Sequence, residues 1–327
     1  MNQSRFEALH DDTWRTFQHR LERMERRKAK ATDGEHFSRE YSTLCQHLAL
    51  ARDRSYSGPL VERLQHLAMR GHQQLYSGPS QYLPHVAAFL LAGFPRRVRQ
   101  EAGFVILAAC ILFGSLALAA TLCLAYPGLL DYLMGPEQLR AIEAMYDPDR
   151  SRLGAAAERL SSEDWAMFGY YVMNNVGIAF QTFASGMLLG LGSLFYLAFN
   201  GLNIGAIAGH LTTIGYTQTF WPFVVGHSAF ELTGIALAGA AGLKLGWAIL
   251  APGRHTRAEA LRLAGAASIQ LVYGVMVFLL LAAFIEAYWS SRTDLPVWLK
   301  YAVGAALWML VCSYLLMAGR GENATER

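Results

Sequence analysis

Apart from Lys244 near the end of one run, three His and Glu side chains fall inside runs otherwise apolar enough for a lipid bilayer. They are His227 and Glu231 in VVGHSAFELTGIALAGAAGLKLG, and Glu286 in LAAFIEAYW. A four-residue step places two side chains one turn apart on one helical face, so the imidazole and the carboxylate of the first run stack if it is a helix. An ionised group among lipid tails is costly, so such residues face protein or a wet cavity and mark a function or an internal pair. Beyond Glu231 the same face continues as Gly234, Ala238, Gly242 and Gly246. Small residues at that interval let a second helix approach closely. Gly186 and Gly190 form a matching pair upstream. The histidine and glutamate are therefore expected to turn toward protein.

Further polar residues lie in apolar surroundings. Asn174 and Asn175 open the second hydrophobic run and join His227, Glu231 and Glu286 in one expected cluster toward the outer half of the membrane. Asn200, Asn203 and His210 are expected toward the inner half, with Gln181 near the middle. Several chemistries fit the cluster. A buried His–Glu pair with amide donors locks helices in register, whereas chains of carboxylates and histidines also relay protons or solutes. Catalytic zinc wants three protein ligands and an open position. HSAFE supplies one histidine and one glutamate, but the H-E-x-x-H pattern is missing. Phe183-Ala184-Ser185-Gly186 is similar to the Gly-x-Ser-Gly of rhomboid proteases, yet Phe183 replaces the first glycine and no aligned histidine motif follows. No phosphate-cradling loop or dinucleotide fingerprint is present, so the sequence assigns no catalytic residue, metal ligand or cofactor.

The elements that must position these groups follow from composition. The chain has 327 residues, 53% of them hydrophobic and 16% charged, with 30 glycines. Charge concentrates in roughly the first hundred residues and most of 104–317 is apolar, which predicts a polar N-terminal module and a membrane domain. No charged-then-apolar leader opens the sequence, so insertion is expected to rely on the first membrane helix. The net charge of +3 gives no reason to expect a nucleic-acid partner. Cys45, Cys110, Cys123 and Cys312 lack metal-ligand spacing and read as buried structural thiols.

The predicted fold is all-α. Residues 1–80 form a cytosolic bundle of amphipathic helices, with stripes at Phe6, Leu9, Trp14, Phe17, Leu21 and Met24, at Phe37, Tyr41, Leu44 and Leu48, and at Leu60, Leu64, Leu67, Met69 and Leu75. Ser-Gly-Pro breaks at 57–59 and 77–79 separate the helices. The six histidines up to His72 read as a solvated surface. Residues 81–100 are expected to lie in the bilayer interface, with Arg96, Arg97 and Arg99 at the headgroups. Residues 101–320 form about six spans, at 103–126, 170–199, 204–220, 222–250, 264–287 and 297–317, with an extracytoplasmic loop at about 127–169 and a short tail at 321–327. Asn200-Gly201 suits a tight turn, and 219–222 either divides two spans or forms one bent or re-entrant element. Arg96, Arg97, Arg99, Lys244, Arg254, Arg257, Arg262 and Arg320 all fall on one side when spans are counted alternately, which predicts that this side is cytoplasmic and holds both termini. Trp165, Tyr170, Trp289 and Trp298 read as aromatics of the outer interface.

Taken in order, NNVGIAFQTFASGMLLGLGSLFYLAFNGLNIGAIAGH, GHSAFELTGIALAGAAGLKLG and LAAFIEAYW resemble the membrane core of the stage II sporulation protein M family. Matched residue by residue, the resemblance marks Asn174, Asn175, Gly186, Gly190, Asn200, Gly201, His227, Glu231, Leu232, Gly239, Gly242 and Glu286. FSREYSTLCQHLALAR, LAMRGHQQLY and FPRRVR are similar to the helical cytosolic part and pre-membrane helix of the longer bacterial members, so the likeness spans about 14–317. It implies a membrane scaffold or assembly protein of the cell envelope, homo-oligomeric and embedded in membrane lipids. A cytosolic chaperone-like ATPase or an envelope protein would be its partner. The rival expectation is a transporter or lipid- or solute-handling protein working through the His/Glu cluster.

Overall fold

The computed structural model describes residues 1–25, 31–76, 82–150, 153–154 and 164–320. The basic run at 26–30, the break at 77–79, most of 151–163 and the tail at 321–327 lie outside the described residues. Thirteen α-helices are described: α1 (Gln3–Glu25), α2 (Ala31–Asp53), α3 (Gly58–Tyr76), α4 (Tyr82–Ala88), α5 (Phe94–Gln100), α6 (Ala102–Ala125), α7 (Leu129–Leu133), α8 (Pro136–Met145), α9 (Asp164–Ala184), α10 (Leu191–Thr213), α11 (Thr217–Leu250), α12 (Arg257–Ile285) and α13 (Val297–Met317). The chain divides into two compact units, Met1–Val86 and Ala87–Arg327.

The first unit is a three-helix bundle. Phe6, Trp14, Phe17 and Leu21 of α1 meet Phe37, Leu44 and Ala51 of α2 and Leu60, Leu64 and Leu67 of α3 in one apolar core. These positions recur at three-, four- and seven-residue steps, the interval that keeps side chains on one face. Leu9 and Met69 fall off the stripes and are exposed. Buried polar groups are paired: Trp14 Nε1 donates to His47 Nδ1 at 3.1 Å. The His47 ring stacks on His10 with centroids 4.0 Å apart. His47 is thus a core residue, not part of a solvated surface.

In the second unit, five helices are long and apolar enough to cross a membrane: α6, α10, α11, α12 with its continuation to Ser290, and α13. The sixth helix of the bundle, α9, carries Asp164, Asn174, Asn175 and Gln181 and is more polar. α11 is the central helix, with 72% of its most apolar stretch buried against 17% for α6 and for α13. The contacts fix directions. Gly201, Gly205 and Gly209 sit against Leu112, Leu116 and Ala120 in turn, so α10 runs parallel to α6. Gly239, Gly242 and Gly246 of α11 meet Leu197, Ser193 and Gly190, so α11 is antiparallel to α10. Ser268 Oγ donates to the Ala241 carbonyl and Gly226 abuts Ser290, which makes α12 antiparallel to α11. The helices therefore alternate in direction from α9 to α13.

Two expected boundaries move. The run at 170–199 is not one helix: α9 ends at Ala184, a 3₁₀ turn covers Ser185–Met187, and α10 starts at Leu191. Leu189 (φ 56°) and Gly190 (φ 83°) take the left-handed conformation that stops a helix and reverses the chain. Asn200-Gly201 is consequently mid-helix rather than a turn; Gly201 serves close packing on Leu112 and Ser115. The break expected at 219–222 lies instead at Ile214–Tyr216, where Gly215 has φ 91°. Pro222 is inside α11, near enough to its start to cost few backbone hydrogen bonds.

Residues 94–100 also depart from expectation. Phe94 is fully buried, with its ring where a Cβ on Gly274 would be, so α5 is docked into the bundle. Arg99 donates to the Leu315 and Ala318 carbonyls at 2.7 Å each, capping the end of α13 rather than pointing to headgroups. Of the four thiols, Cys123 is buried, Cys45 half-buried, and Cys110 and Cys312 exposed. In a helix facing lipid, an apolar thiol needs no protein cover.

Candidate functional site

Near the start of α11 the helices line a partly open cavity of about 240 Å³. Its walls come from α9 (Tyr171, Asn174, Asn175), α10 (Ile204, Ile207), α11 (Phe223, His227, Glu231) and Glu286 beyond α12, with Tyr146 at the end of α8. α12 does not stop at Ile285 but widens into a π-turn, Glu286–Ser290. Such turns insert one residue and re-aim the side chains that follow. Here the π-turn brings Glu286 and Ser290 to the α11 face that carries His227.

One ligand atom from each of His227, Glu231 and Glu286 lies within 4.8 Å of the other two. His227 Nε2 and Glu231 Oε2 are 3.7 Å apart, too far for a hydrogen bond. The other ring nitrogen, Nδ1, is 3.0 Å from Ser290 Oγ. Phe223 sits edge-on to the imidazole, with ring centroids 5.2 Å apart. Ser290 is itself held in place, because Lys300 Nζ donates to its carbonyl at 2.9 Å and also to the Arg292 carbonyl. His227 is 5% exposed, Glu286 9% and Asn175 2%, so these three are buried in protein, whereas Glu231 is half-buried and Asn174 is exposed.

The two asparagines behave differently. Asn174 Nδ2 donates to Asn175 Oδ1 at 3.0 Å. Asn175 Nδ2 is buried at the cavity wall and makes no hydrogen bond. Tyr146 is the aromatic roof, packed on Phe220 and Phe223. Burial pushes its phenol well above the ordinary range, and the charges of Glu286, Tyr171 and Glu231 add to the effect. The hydroxyl therefore stays protonated, available as a donor.

His227, Glu231, Glu286, Asn174 and Asn175 are thus brought together. The three residues expected at the inner side are not a group. His210 Nε2 lies 2.8 Å from Glu143 Oε1 of α8, at the same end of the bundle as the cavity. It moves there because α10 begins at Leu191, so position 210 comes at the far end of that helix. Asn200 Nδ2 donates to the Tyr196 carbonyl of its own helix, and Asn203 is half-buried on α10. Gln181 is exposed. The packing residues divide by partner. Gly186 and Gly190 meet Gly242 and Gly246 at backbone distance, Gly234 faces Leu279, and Ala238 lies in the central apolar cluster. Tyr146, Tyr171, Ser290 and Lys300 were not anticipated. Only Ser290, four residues beyond Glu286, carries a spacing that could have signalled its place.

A family model described as Stage II sporulation protein M matches residues 103–291. A second, described as a domain of unknown function, matches residues 4–77. No curated protein and no solved structure matches the chain. The likeness expected over about 14–317 is therefore carried by the membrane unit, and the helical bundle before it matches a separate model.

Proposed function

The chain belongs to the stage II sporulation protein M family, and from that premise we propose that it is a scaffold of the bacterial cell envelope, set in the inner membrane with both termini cytoplasmic. The observation that carries this reading is the pairing of a membrane unit of the family type with a separate three-helix bundle that has its own core. A bundle of that kind offers a folded surface to a cytosolic partner, such as a chaperone-like ATPase, while the segment around α7 and α8 offers another to an envelope protein. Sidedness is supported by Arg96, Arg97, Arg99 and Lys244, which gather around α5 at the end of the bundle opposite the cavity. The scaffold works as a homo-oligomer and performs no catalytic step. Affinity purification of the full chain from native membranes should recover a partner in fixed ratio, and removal of residues 1–86 should abolish that recovery. Repeated isolation of the protein alone would overturn the reading.

The cavity with three ionisable groups favours a second reading, transport of a proton or small solute through the His227–Glu231–Glu286 cluster. In reconstituted vesicles, Glu231→Gln would abolish a flux without loss of assembly under this reading. Under the scaffold reading it changes stability alone.

A further inference from the structure

The geometry points to a divalent transition-metal site, zinc in type, formed by His227 Nε2 and the carboxylates of Glu231 and Glu286, with a fourth coordination position open to the cavity. This goes beyond the scaffold reading and does not depend on it. The donor separations fit. Zinc bonds of about 2.0–2.1 Å place tetrahedral ligands roughly 3.4 Å from one another, and Nε2 of His227 stands 3.7 Å from Oε2 of Glu231. Glu286 supplies an oxygen inside the same 4.8 Å envelope, so small side-chain rotations complete the triangle.

The surrounding groups match what a bound metal requires. A metal-ligating imidazole usually gives its second N–H to an acceptor that fixes tautomer and ring plane. A metal on Nε2 requires the proton on Nδ1, and Ser290 Oγ, 3.0 Å from Nδ1, is placed to accept it. Ser290 is fully buried. A second, independent feature is the Asn175 amide, which is 2% exposed, lines the cavity and donates to no acceptor there. A metal-bound water or anion at the fourth position would be that acceptor. Charge also balances. A neutral imidazole, two carboxylates and one divalent cation sum to zero, the condition that spares a low-dielectric site the cost of a net charge. One nitrogen donor and only three protein ligands favour a d-block ion over calcium or magnesium, which take six or more oxygens.

The test uses the full chain, purified without a histidine tag in detergent or nanodiscs. After chelator treatment and dialysis against zinc chloride, elemental analysis is expected to find one zinc per chain. Cobalt chloride in its place should give the visible absorption of a four-coordinate ion with mixed nitrogen and oxygen ligands. Glu231→Gln and Glu286→Gln should lose the metal, and Ser290→Ala, which keeps all three ligands, should weaken affinity by about 10- to 100-fold. Glu143→Gln, outside the cluster, should bind as wild type. Wild-type protein that takes up neither zinc nor cobalt overturns the proposal, whatever the variants do. Uptake that is equal in wild type, Glu231→Gln and Glu286→Gln overturns it too, because the ion would then sit elsewhere. If the glutamine variants do not fold, the wild-type cobalt spectrum and the Ser290→Ala affinity decide.

Discussion

Gly242→Ala asks whether the α9–α10 reversal is seated on α11 at backbone distance. A Cβ at 242 would lie 2.2 Å from Ser193 Oγ and 2.7 Å from the Phe183 carbonyl oxygen. Neither neighbour yields freely. Ser193 Oγ donates to the Thr182 carbonyl at 2.6 Å, and the Phe183 oxygen is main chain in α9. A methyl forced into close packing costs about 1–3 kcal/mol, and losing the Ser193 bond adds about 1 kcal/mol. Replacing glycine inside a helix returns about 1 kcal/mol. The net loss is about 1–3 kcal/mol, a fall in Tm on the order of 5 °C for a unit of this size. Gly265→Ala in α12 is the control, since a Cβ there meets nothing within 4 Å. It keeps the propensity gain without the clash, so its Tm should rise by a few degrees. Thermal unfolding of both variants in one detergent, followed by tryptophan fluorescence, reads the two signs. If Gly242→Ala melts at or above the wild-type temperature, the backbone contact between α11 and the reversal is refuted.

Three further outcomes are expected. Burial and then the neighbouring His10 charge hold the His47 imidazole below its ordinary pKa of 6.5. The folded bundle thus binds fewer protons than the unfolded chain, and stability present above about pH 6.5 is lost as pH falls below it. Hydrogen-exchange protection factors over α1–α3, which correct for slower intrinsic exchange in acid, should fall between pH 7.5 and 5.5, and His47→Phe should flatten that response. Arg99→Ala removes two charge-assisted bonds to the last carbonyls of α13, worth about 1.5–3 kcal/mol each at most. Faster exchange confined to the residues before 320 checks it, with Arg99→Lys intermediate. Lys244 Nζ donates to Glu101 Oε2 at 2.7 Å, with Glu101 9% and Lys244 21% exposed. Removing either partner alone should destabilise by up to about 3 kcal/mol, whereas Glu101→Leu with Lys244→Met should recover most of it, and a double-mutant cycle measures the difference.

What the sequence reveals of this fold depends on how local each feature is. The apolar length of 103–126 and 297–317 is a property of consecutive residues, and α6 and α13 match those ranges to within a residue. His227 and Glu231 needed only helical periodicity, and they do share a face. The reversal at Ser185–Gly190 did not show, because its residues are as apolar as a span. Leu189 and Gly190 leave the helix through their backbone conformation, which hydropathy does not register. Because that turn is hidden from hydropathy, α10 lies about half a helix out of the expected register and His210 at the opposite end from the one expected. The π-turn at Glu286–Ser290 is invisible for a similar reason: nothing in EAYWS distinguishes a widened turn from an ordinary one. Ser290 therefore reaches His227 through a geometry that only the assembled bundle reveals.

The small-residue stripe and the ionisable pair on α11 are two ends of one device. Toward the end of the helix, Gly242 and Gly246 admit Gly186 and Gly190 to backbone contact. About four turns earlier, ~25 Å back along the axis, Phe220, Phe223 and His227 occupy the same helix and face Tyr146 and Tyr171. The α9–α10 reversal meets α11 at backbone distance at the narrow end, around Gly242, whereas at the other, wider end aromatic rings and His227 line the cavity. Enlarging a glycine at the narrow end should therefore disturb the wide end. An alanine at 242 that pushes the reversal outward tilts α9, and with it Asn175, away from His227. If the metal site exists, Gly242→Ala should weaken zinc binding although it lies several turns from every ligand, whereas Gly265→Ala should leave zinc binding unchanged.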